Sequence, residues 1–187
     1  MQEISTENSF RLIEPGPILL VTTSLAGKPN VMTMGFHMMV QHAPPLIGCV
    51  IGPWDHSYQA LRETGHCVLS VPREDMSATV TEIGNCSGAD LDKFETFGLD
   101  TQPGTRSEAP LISDCVANLE CHLVDETLSD RYALHILQVE RLWVAADWRE
   151  ARLLHHIGDG RYSRDGDIVD ESQRMTRWRH LATLGKN

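Results

Sequence analysis

The best candidate for an anion-binding group in this sequence is Ser57, at the predicted start of a helix. Asp55, His56 and Ser57 precede a run in which Tyr58 and Leu61 have the i, i+3 spacing of one helix face. A hydroxyl and free backbone N–H groups at a helix N-terminus favour an anion by about 0.3–1 kcal/mol. The other interpretation is an ordinary cap, and the residues alone favour it. The Asp55 carboxylate would oppose an anion there unless it turns away to cap the helix.

Two further polar residues have both a structural and a ligand-binding interpretation. Asn30 follows Pro29 in a predicted turn, so its amide either fixes that turn or bonds to a ligand. Lys93 lies between Leu91 and Phe94 and off their shared apolar face, which predicts a solvated surface lysine. By itself this pattern does not favour a phosphate contact at Lys93.

The histidines indicate no metal site. His135 shares a predicted strand face with Leu137 and Val139, which is typical of a hydrogen-bonded core histidine and leaves donation to a cofactor as the alternative. His155 and His156 are adjacent and therefore project differently, and the HxH, HExxH and CxxC spacings are absent. No catalytic acid, base or nucleophile stands out either, which fits a protein whose cofactor supplies the chemistry.

Composition narrows the class of protein. The net charge of -10 argues against a nucleic-acid partner, which would require a basic surface. Five cysteines without a CxxC pair suggest reduced thiols, and the sequence shows neither a signal peptide nor a transmembrane stretch. We therefore expect a cytoplasmic protein with no membrane contact.

The elements that would position these residues are mostly short strands. PILLVTTSL, a turn at AGKP and a second strand from about Asn30 predict a hairpin, and LIGCVIG and CVLSVP predict buried strands. Residues 117–123 alternate between apolar and polar, which predicts a half-buried strand, and YALHILQVERLWVA predicts a longer one. Two short helices are expected from the spacing of Met76, Val80 and Ile83 and of Leu91 and Phe94.

This order of elements, without a βαβ rhythm, predicts a mainly β, antiparallel barrel with a few short peripheral helices. At 187 residues the chain fits a single domain, 1–187, with a core of about 15–163 and a C-terminal tail of 164–187. Apart from a few apolar residues the tail is polar and charged, so we expect either an arm that crosses to a partner or a loose end.

A methionine-rich stretch follows the predicted turn. It contains Met32, Met34, Met38 and Met39, together with Phe36. Such a soft apolar run is typical of core filler or of a dimer interface. Alternate residues of a strand face the same side, so the stretch could also form the floor beneath a flat cofactor ring.

Five segments in sequence order resemble the flavin reductase-like (flavoredoxin) family. They are PGPILLVTTSLAGKPNVMTMGFHMM, HAPPLIGCVIGPWDHSYQALRETGHCVLSVP, SGADLDKFETFGL, YALHILQVERLWV and GRYS, and together they cover roughly residues 15–163. The resemblance implies an FMN-binding split β-barrel of the Greek-key type, with FMN held at the interface of a homodimer. Phe36 stands where relatives often have Trp, and Ser57 where they usually have Thr.

The resemblance also implies a set of cofactor-binding positions. Matched one by one, they are Asn30, Thr33, Met34 and Phe36 along the ribityl chain and ring, Ser57 and Lys93 at the phosphate, and His135 and Tyr162 near the flavin.

Three functions are compatible with this resemblance. The first is an oxidoreductase that takes hydride from NAD(P)H onto FMN and passes electrons on. The second is a non-catalytic, flavoredoxin-like electron carrier reduced by a protein partner. The third, an oxidase acting on a small phosphate ester, is disfavoured because no second basic cluster is visible.

Overall fold

The computed structural model describes residues 1–13 and 16–174, which form a mainly β structure. The strands are β1 (Gln2–Ile4), β2 (Leu19–Leu25), β3 (Lys28–Met34), β4 (His37–Gln41), β5 (Leu46–Val50), β6 (His66–Val71), β7 (Thr101–Gln102), β8 (Leu111–Ile112), β9 (Ala117–Asp125), β10 (Leu134–Val144), β11 (Leu154–Gly158) and β12 (Arg161–Arg164). The α-helices are α1 (Ser9–Ile13), α2 (Ser57–Thr64), α3 (Ser77–Gly84), α4 (Lys93–Thr96) and α5 (Ser129–Tyr132).

The main sheet is antiparallel and has the strand order β3-β2-β6-β9-β10-β5-β4, with β1 added beside β10. Met34 on edge strand β3 and Met39 on edge strand β4 both contact one apolar core. The sheet must therefore curl around that core, as in a barrel. The predicted mainly β, antiparallel architecture is confirmed.

The predicted hairpin is formed by β2 and β3. Leu25 pairs with Lys28, so the loop has two residues, Ala26 and Gly27, at φ +52° and +75°. Positive φ at both positions is typical of the type I′ turn, whose twist matches that of paired strands. Strand β3 begins at Lys28, two residues before the predicted start at Asn30.

Strand β9 differs from its predicted half-buried form, because Asn118 and Glu120 are buried as well as their apolar neighbours. The loop between β7 and β8 covers them. The backbone N–H groups of Thr105 and Arg106 each donate to Glu120 Oε2 at 2.7 Å, and Trp143 Nε1 donates to Oε1 at 2.7 Å. Satisfied hydrogen bonds allow these polar groups to be buried.

The two short helices after β6 are present. In α3, Val80 and Ile83 contribute to a second apolar cluster, on the other face of the sheet from the main core. Helix α4 begins only at Lys93, so Leu91 lies before it. The close approach of Gly84 to Thr33, where an added Cβ would lie 3.4 Å from Thr33 Cβ, places the end of α3 directly on β3.

The tail is described only as far as residue 174. Its first part is anchored, because Asp165 accepts from Leu153 N at 3.0 Å and lies 2.7 Å from His155 Nε2. Ile168 and Val169 are exposed. The remainder, residues 175–187, lies outside the described residues, as does the predicted core boundary at residue 15. In the described chain, no helix combines the length and the apolar character needed to cross a membrane.

Candidate functional site

A cavity of 670 Å³ lies where the end of β3 meets α3 and the β11–β12 hairpin. That volume is within the range of about 300–1,000 Å³ typical of small-molecule sites. Its floor is apolar and includes Ile18, Met32, Met34 and Val80. Met34 is buried and Met32 partly buried, because both point from β3 towards the main core.

The polar wall of the cavity is formed by Thr81 and Asn85, in and just after α3, and by Tyr162 on β12. The Thr81 hydroxyl donates to Ser77 O at 2.8 Å, so at the 3.0 Å contact between Thr81 and Tyr162 the phenol is the donor. Asn85 Nδ2 donates to Thr81 O at 2.9 Å, which leaves its carbonyl oxygen for a ligand. The His156 ring lies 5.3 Å from the Tyr162 ring, which fixes that side of the hairpin.

Thr33 is the polar group on the β3 side. Its hydroxyl donates to Val80 O at 2.6 Å, so towards the cavity the oxygen can only accept. Of the predicted cofactor-binding residues, the structure brings four together around this cavity: Thr33, Met34, Phe36 and Tyr162.

The open side of the cavity, its mouth, carries two exposed aromatic rings. Phe36 is 76% exposed and Trp54 is 75% exposed. Trp54 belongs to a turn in which Asp55 N donates to Gly52 O at 2.8 Å and Gly52 N donates to Asp55 Oδ2 at 2.9 Å. The Asp55 carboxylate thus closes this turn and does not cap α2, which has no side-chain cap; the capping role considered for Asp55 is wrong.

Trp54 is not among the site residues predicted from the sequence. The available signal was a lone tryptophan between Pro53 and Asp55, in a loop that had to be on the surface. Large aromatic residues in loops between predicted strands are candidates for binding, since the core does not require them there.

Asn30 and Ser57 form a bonded pair outside the cavity lining. Asn30 Nδ2 donates to Ser57 Oγ at 2.9 Å, and Thr23 Oγ1 donates to the same oxygen at 3.2 Å. Ser57 lies at the start of α2 and is fully buried. The chain at Gly88 covers the pair, because an added Cβ there would lie 2.1 Å from Asn30 Oδ1.

Lys93 is not the solvated surface lysine that its spacing predicts. It is only 4% exposed, and its ammonium donates to Ile83 O at 2.9 Å. Within the described chain it makes no ion pair, and burial lowers its pKa, although the nearby Cys86 acts in the opposite direction. The pattern failed because α4 lies against β3 and the Lys93 side chain reaches the end of α3, which covers the face expected to be exposed. A buried cation without a carboxylate partner is suited to an anionic ligand.

His135 lies in the interior, fully buried beneath Tyr58, at 6.0 Å between ring centroids. Its Nδ1 is 3.1 Å from Ala133 O and must donate to it, while Nε2 has no partner within the described residues. Burial lowers the pKa of His135, more than the Ala133 carbonyl raises it. In the neutral ring, Nε2 is therefore a hydrogen-bond acceptor. Donation from Nε2 to a cofactor would require the protonated imidazolium, which burial disfavours.

The flavin reductase like domain matches residues 11–163, most of the chain. This chain belongs to that family. The predicted family is thus confirmed, and with it the split-barrel fold.

Relatives of this flavin reductase-like chain extend from archaea to bacteria. An uncharacterised protein of Archaeoglobus fulgidus is 31% identical over 112 residues, which are 60% of this chain and 63% of that protein. The match thus spans less than two thirds of that relative's length.

Among solved structures, the FMN-binding domain of a flavin reductases-like enzyme from Shewanella baltica has a TM-score of 0.84 at 22% identity, over 90% of this chain and 96% of that one. Flavoredoxin of Desulfovibrio vulgaris has a TM-score of 0.75 at 20% identity, over 84% and 90%. These similarities show that the fold is shared with FMN-binding proteins.

The residues of this flavin reductase-like chain fit FMN. The apolar floor and the aromatic mouth suit a flat ring, and the acceptors and donors of Thr33, Asn85 and Tyr162 suit a polyol chain. The ammonium of Lys93, which forms no ion pair with any described residue, suits a phosphate. Among the described residues, no group of histidine, cysteine or acidic side chains is arranged to hold a metal ion.

Proposed function

We propose that this chain is a homodimeric FMN-dependent oxidoreductase whose flavin is reduced by NAD(P)H. One observation supports this most directly: in a member of the flavin reductase-like family, a 670 Å³ cavity has an apolar floor on β3 and a mouth open to a second reactant. When bound, FMN supplies the hydride and electron chemistry, and the chain supplies binding and orientation.

The ring end of FMN belongs over Met32 and Met34, alternate residues on one side of edge strand β3 that both line the cavity. Thr33 would accept a hydrogen bond from the ribityl chain, while Asn85 could accept or donate. Exclusion of water by the apolar floor would strengthen these hydrogen bonds, because the local dielectric is low.

The phosphate end belongs beside the start of α2, near the bonded pair Asn30 and Ser57. Among the described residues that line the cavity, none is a lysine or arginine, so a phosphate inside it would have no cationic partner. Within the described residues, the α2 N-terminus has no side-chain cap and Lys93 forms no ion pair. Contact between these groups and a phosphate requires the segment around Gly88 to move away from Asn30.

The second candidate is a flavoredoxin-like electron carrier without a nicotinamide substrate. The exposure of Trp54 favours it, since a protein partner could contact this ring at the mouth of the cavity directly. In this case the same cavity and the same FMN serve a different electron donor.

The experiment that tests both is an absorption spectrum followed by anaerobic reduction. The protein, incubated with excess FMN and desalted, is expected to be yellow, and addition of NADH or NADPH is expected to bleach it within seconds. Dithionite serves as the control that bleaches either kind of protein. Persistent colour with both nicotinamides would favour the carrier, and a colourless protein would remove FMN binding altogether.

We also propose that the protein works in the reducing cytoplasm. Its five cysteines are all free thiols, and four of them, Cys49, Cys67, Cys115 and Cys121, are buried. Burial raises the pKa of these thiols, to about 12 for Cys67, which keeps them protonated and unreactive.

A further inference from the structure

The turn before α2 holds the Trp54 indole directly against the backbone of Gly52. A Cβ added at Gly52 would lie 2.4 Å from Cζ2 and Cη2 of the indole and 2.5 Å from Cε2. Only glycine allows that contact. Two hydrogen bonds between Gly52 and Asp55 close the turn that carries the ring.

The indole is thus held at one side while three quarters of its surface remains exposed at the mouth of the cavity. A large aromatic ring held in this way offers a flat, electron-rich surface for stacking. Phe36, equally exposed, borders the same opening.

The charge beside this ring is negative. Among the described residues that line the cavity, Asp55 has the one carboxylate, and no lysine or arginine balances it. The electron-rich indole and the adjacent carboxylate both disfavour an anion and favour a neutral or cationic ring.

We propose that the second substrate of this cavity is a planar aromatic compound without negative charge on its ring, stacked on Trp54 and selected by Asp55. This inference rests on the proposed function, because it assumes that FMN occupies the floor and leaves the mouth for a reactant. A nicotinamide ring belongs to this class.

The test uses three redox-inert probes with the same ring and different charge: nicotinamide, the anion nicotinate and the cation 1-methylnicotinamide. Each is titrated into the FMN-loaded protein, and binding is measured by calorimetry and by the change in flavin absorption. Nicotinamide and 1-methylnicotinamide are each expected to bind at least about tenfold more tightly than nicotinate. Asp55→Asn is expected to reduce that difference.

Two variants test the ring itself. Trp54→Ala is expected to weaken nicotinamide binding about three- to tenfold, and Gly52→Ala to do the same although the indole is retained, because its methyl group displaces the ring. Trp54→Phe is expected to retain most of the affinity. Tyr132→Ala removes an exposed aromatic residue that does not line the cavity and is expected to change nothing.

Several results would overturn the inference. They are equal affinity for nicotinate and nicotinamide, no binding of any probe, or unchanged probe affinity in Trp54→Ala. A variant Trp54→Ala that loses FMN but not the probes would show that the flavin itself occupies the indole face. If the protein takes up no FMN, the proposed function is wrong. The probes are then titrated into the apo protein, where weaker binding of nicotinate than of nicotinamide would still support the roles of Trp54 and Asp55, and equal binding would contradict them.

Discussion

At the scale of single residues, the buried ammonium of Lys93 gives the clearest expectation. Lys93→Met keeps the volume of the side chain, so no cavity forms beneath α4. FMN affinity is expected to fall about ten- to a hundredfold, the value of one charge-assisted bond to a phosphate. The apo protein is expected to melt at the same temperature or higher, because the lowered pKa of Lys93 shows that burial of its charge is unfavourable.

Lys28→Met is the matched control for that experiment. Lys28 is exposed at the start of β3 and is expected to affect neither FMN affinity nor melting. Fluorescence titration of FMN and calorimetry of the apo forms measure the two effects independently. Unchanged FMN affinity in Lys93→Met would mean that the phosphate binds elsewhere.

Residue by residue, what the sequence could predict depended on local pattern. Met34 and Phe36 belong to a continuous apolar stretch that suggested a floor for a flat ring, and they do line the cavity. The spacing predicts a surface position for Lys93 because its neighbours define one apolar face, whereas the position of α4 beside β3 and the end of α3 buries a second face. Trp54 had no periodic neighbours, so only the folded turn shows its contact with Gly52.

At the scale of elements, Glu120 joins β9 to the loop between β7 and β8. Glu120→Gln is expected to destabilise the protein by about 2–3 kcal/mol, because a carboxamide cannot accept all the bonds that the carboxylate accepts. That loss corresponds to a melting temperature lower by about 5–10 °C in calorimetry. Glu95→Gln, an exposed change in α4, is the control that should leave melting unaltered.

The pH dependence of the same element has a defined sign. Burial alone would raise the pKa of Glu120, but hydrogen bonds from Trp143, Thr105 and Arg106 outweigh burial and lower it. Because its pKa is lowered, the Glu120 carboxylate stabilises the fold at pH values above the ordinary glutamate pKa of 4.5. This stabilisation is lost as the pH falls through the pKa that Glu120 has in the folded protein. The difference in stability between the parent and Glu120→Gln should therefore shrink below about pH 4.5, and a constant difference would contradict this origin.

Among the elements, the positions of the strands were predicted better than the burial of their two faces. The hairpin of β2 and β3 and strand β10 follow from turn residues and β-branched runs, although the two-residue type I′ turn does not. The burial of both faces of β9 did not follow, because Asn118 and Glu120 alternate with apolar residues as solvent-facing positions would. Only the folding of the loop between β7 and β8 onto β9, where its backbone donates to Glu120, distinguishes the two cases.

At the scale of the whole molecule, the order of the strands in the sheet could not be predicted from the sequence. Strand β6 pairs with both β2 and β9, and β10 pairs with both β5 and β1, so four pairings of the main sheet join strands that are not consecutive along the chain. Local periodicity carries no information about such pairings. The family resemblance predicted the split barrel, whereas the order of its strands is known only from the structure.

The same sheet leaves an apolar face uncovered. Phe36 and the alternate β4 residues Met38 and Val40 are 76%, 56% and 48% exposed, and β4 is an edge strand. Such a face, bordering the proposed flavin site, is where we expect the second subunit to bind. Met38→Lys is expected to raise the dimer dissociation constant about a hundredfold or more, because burial of an unpaired ammonium costs several kcal/mol.

Light scattering at micromolar concentration, with and without FMN, measures this effect. The parent protein is expected to be a dimer, and Met38→Lys a monomer that binds FMN more weakly, since Phe36 lines both the cavity and the exposed face. Thr101→Lys places the same charge on an exposed position of β7, outside the main sheet, and should remain dimeric with unchanged FMN affinity. A parent protein that is monomeric with FMN bound would show that one subunit suffices for the site, and a dimeric Met38→Lys would place the interface on another face.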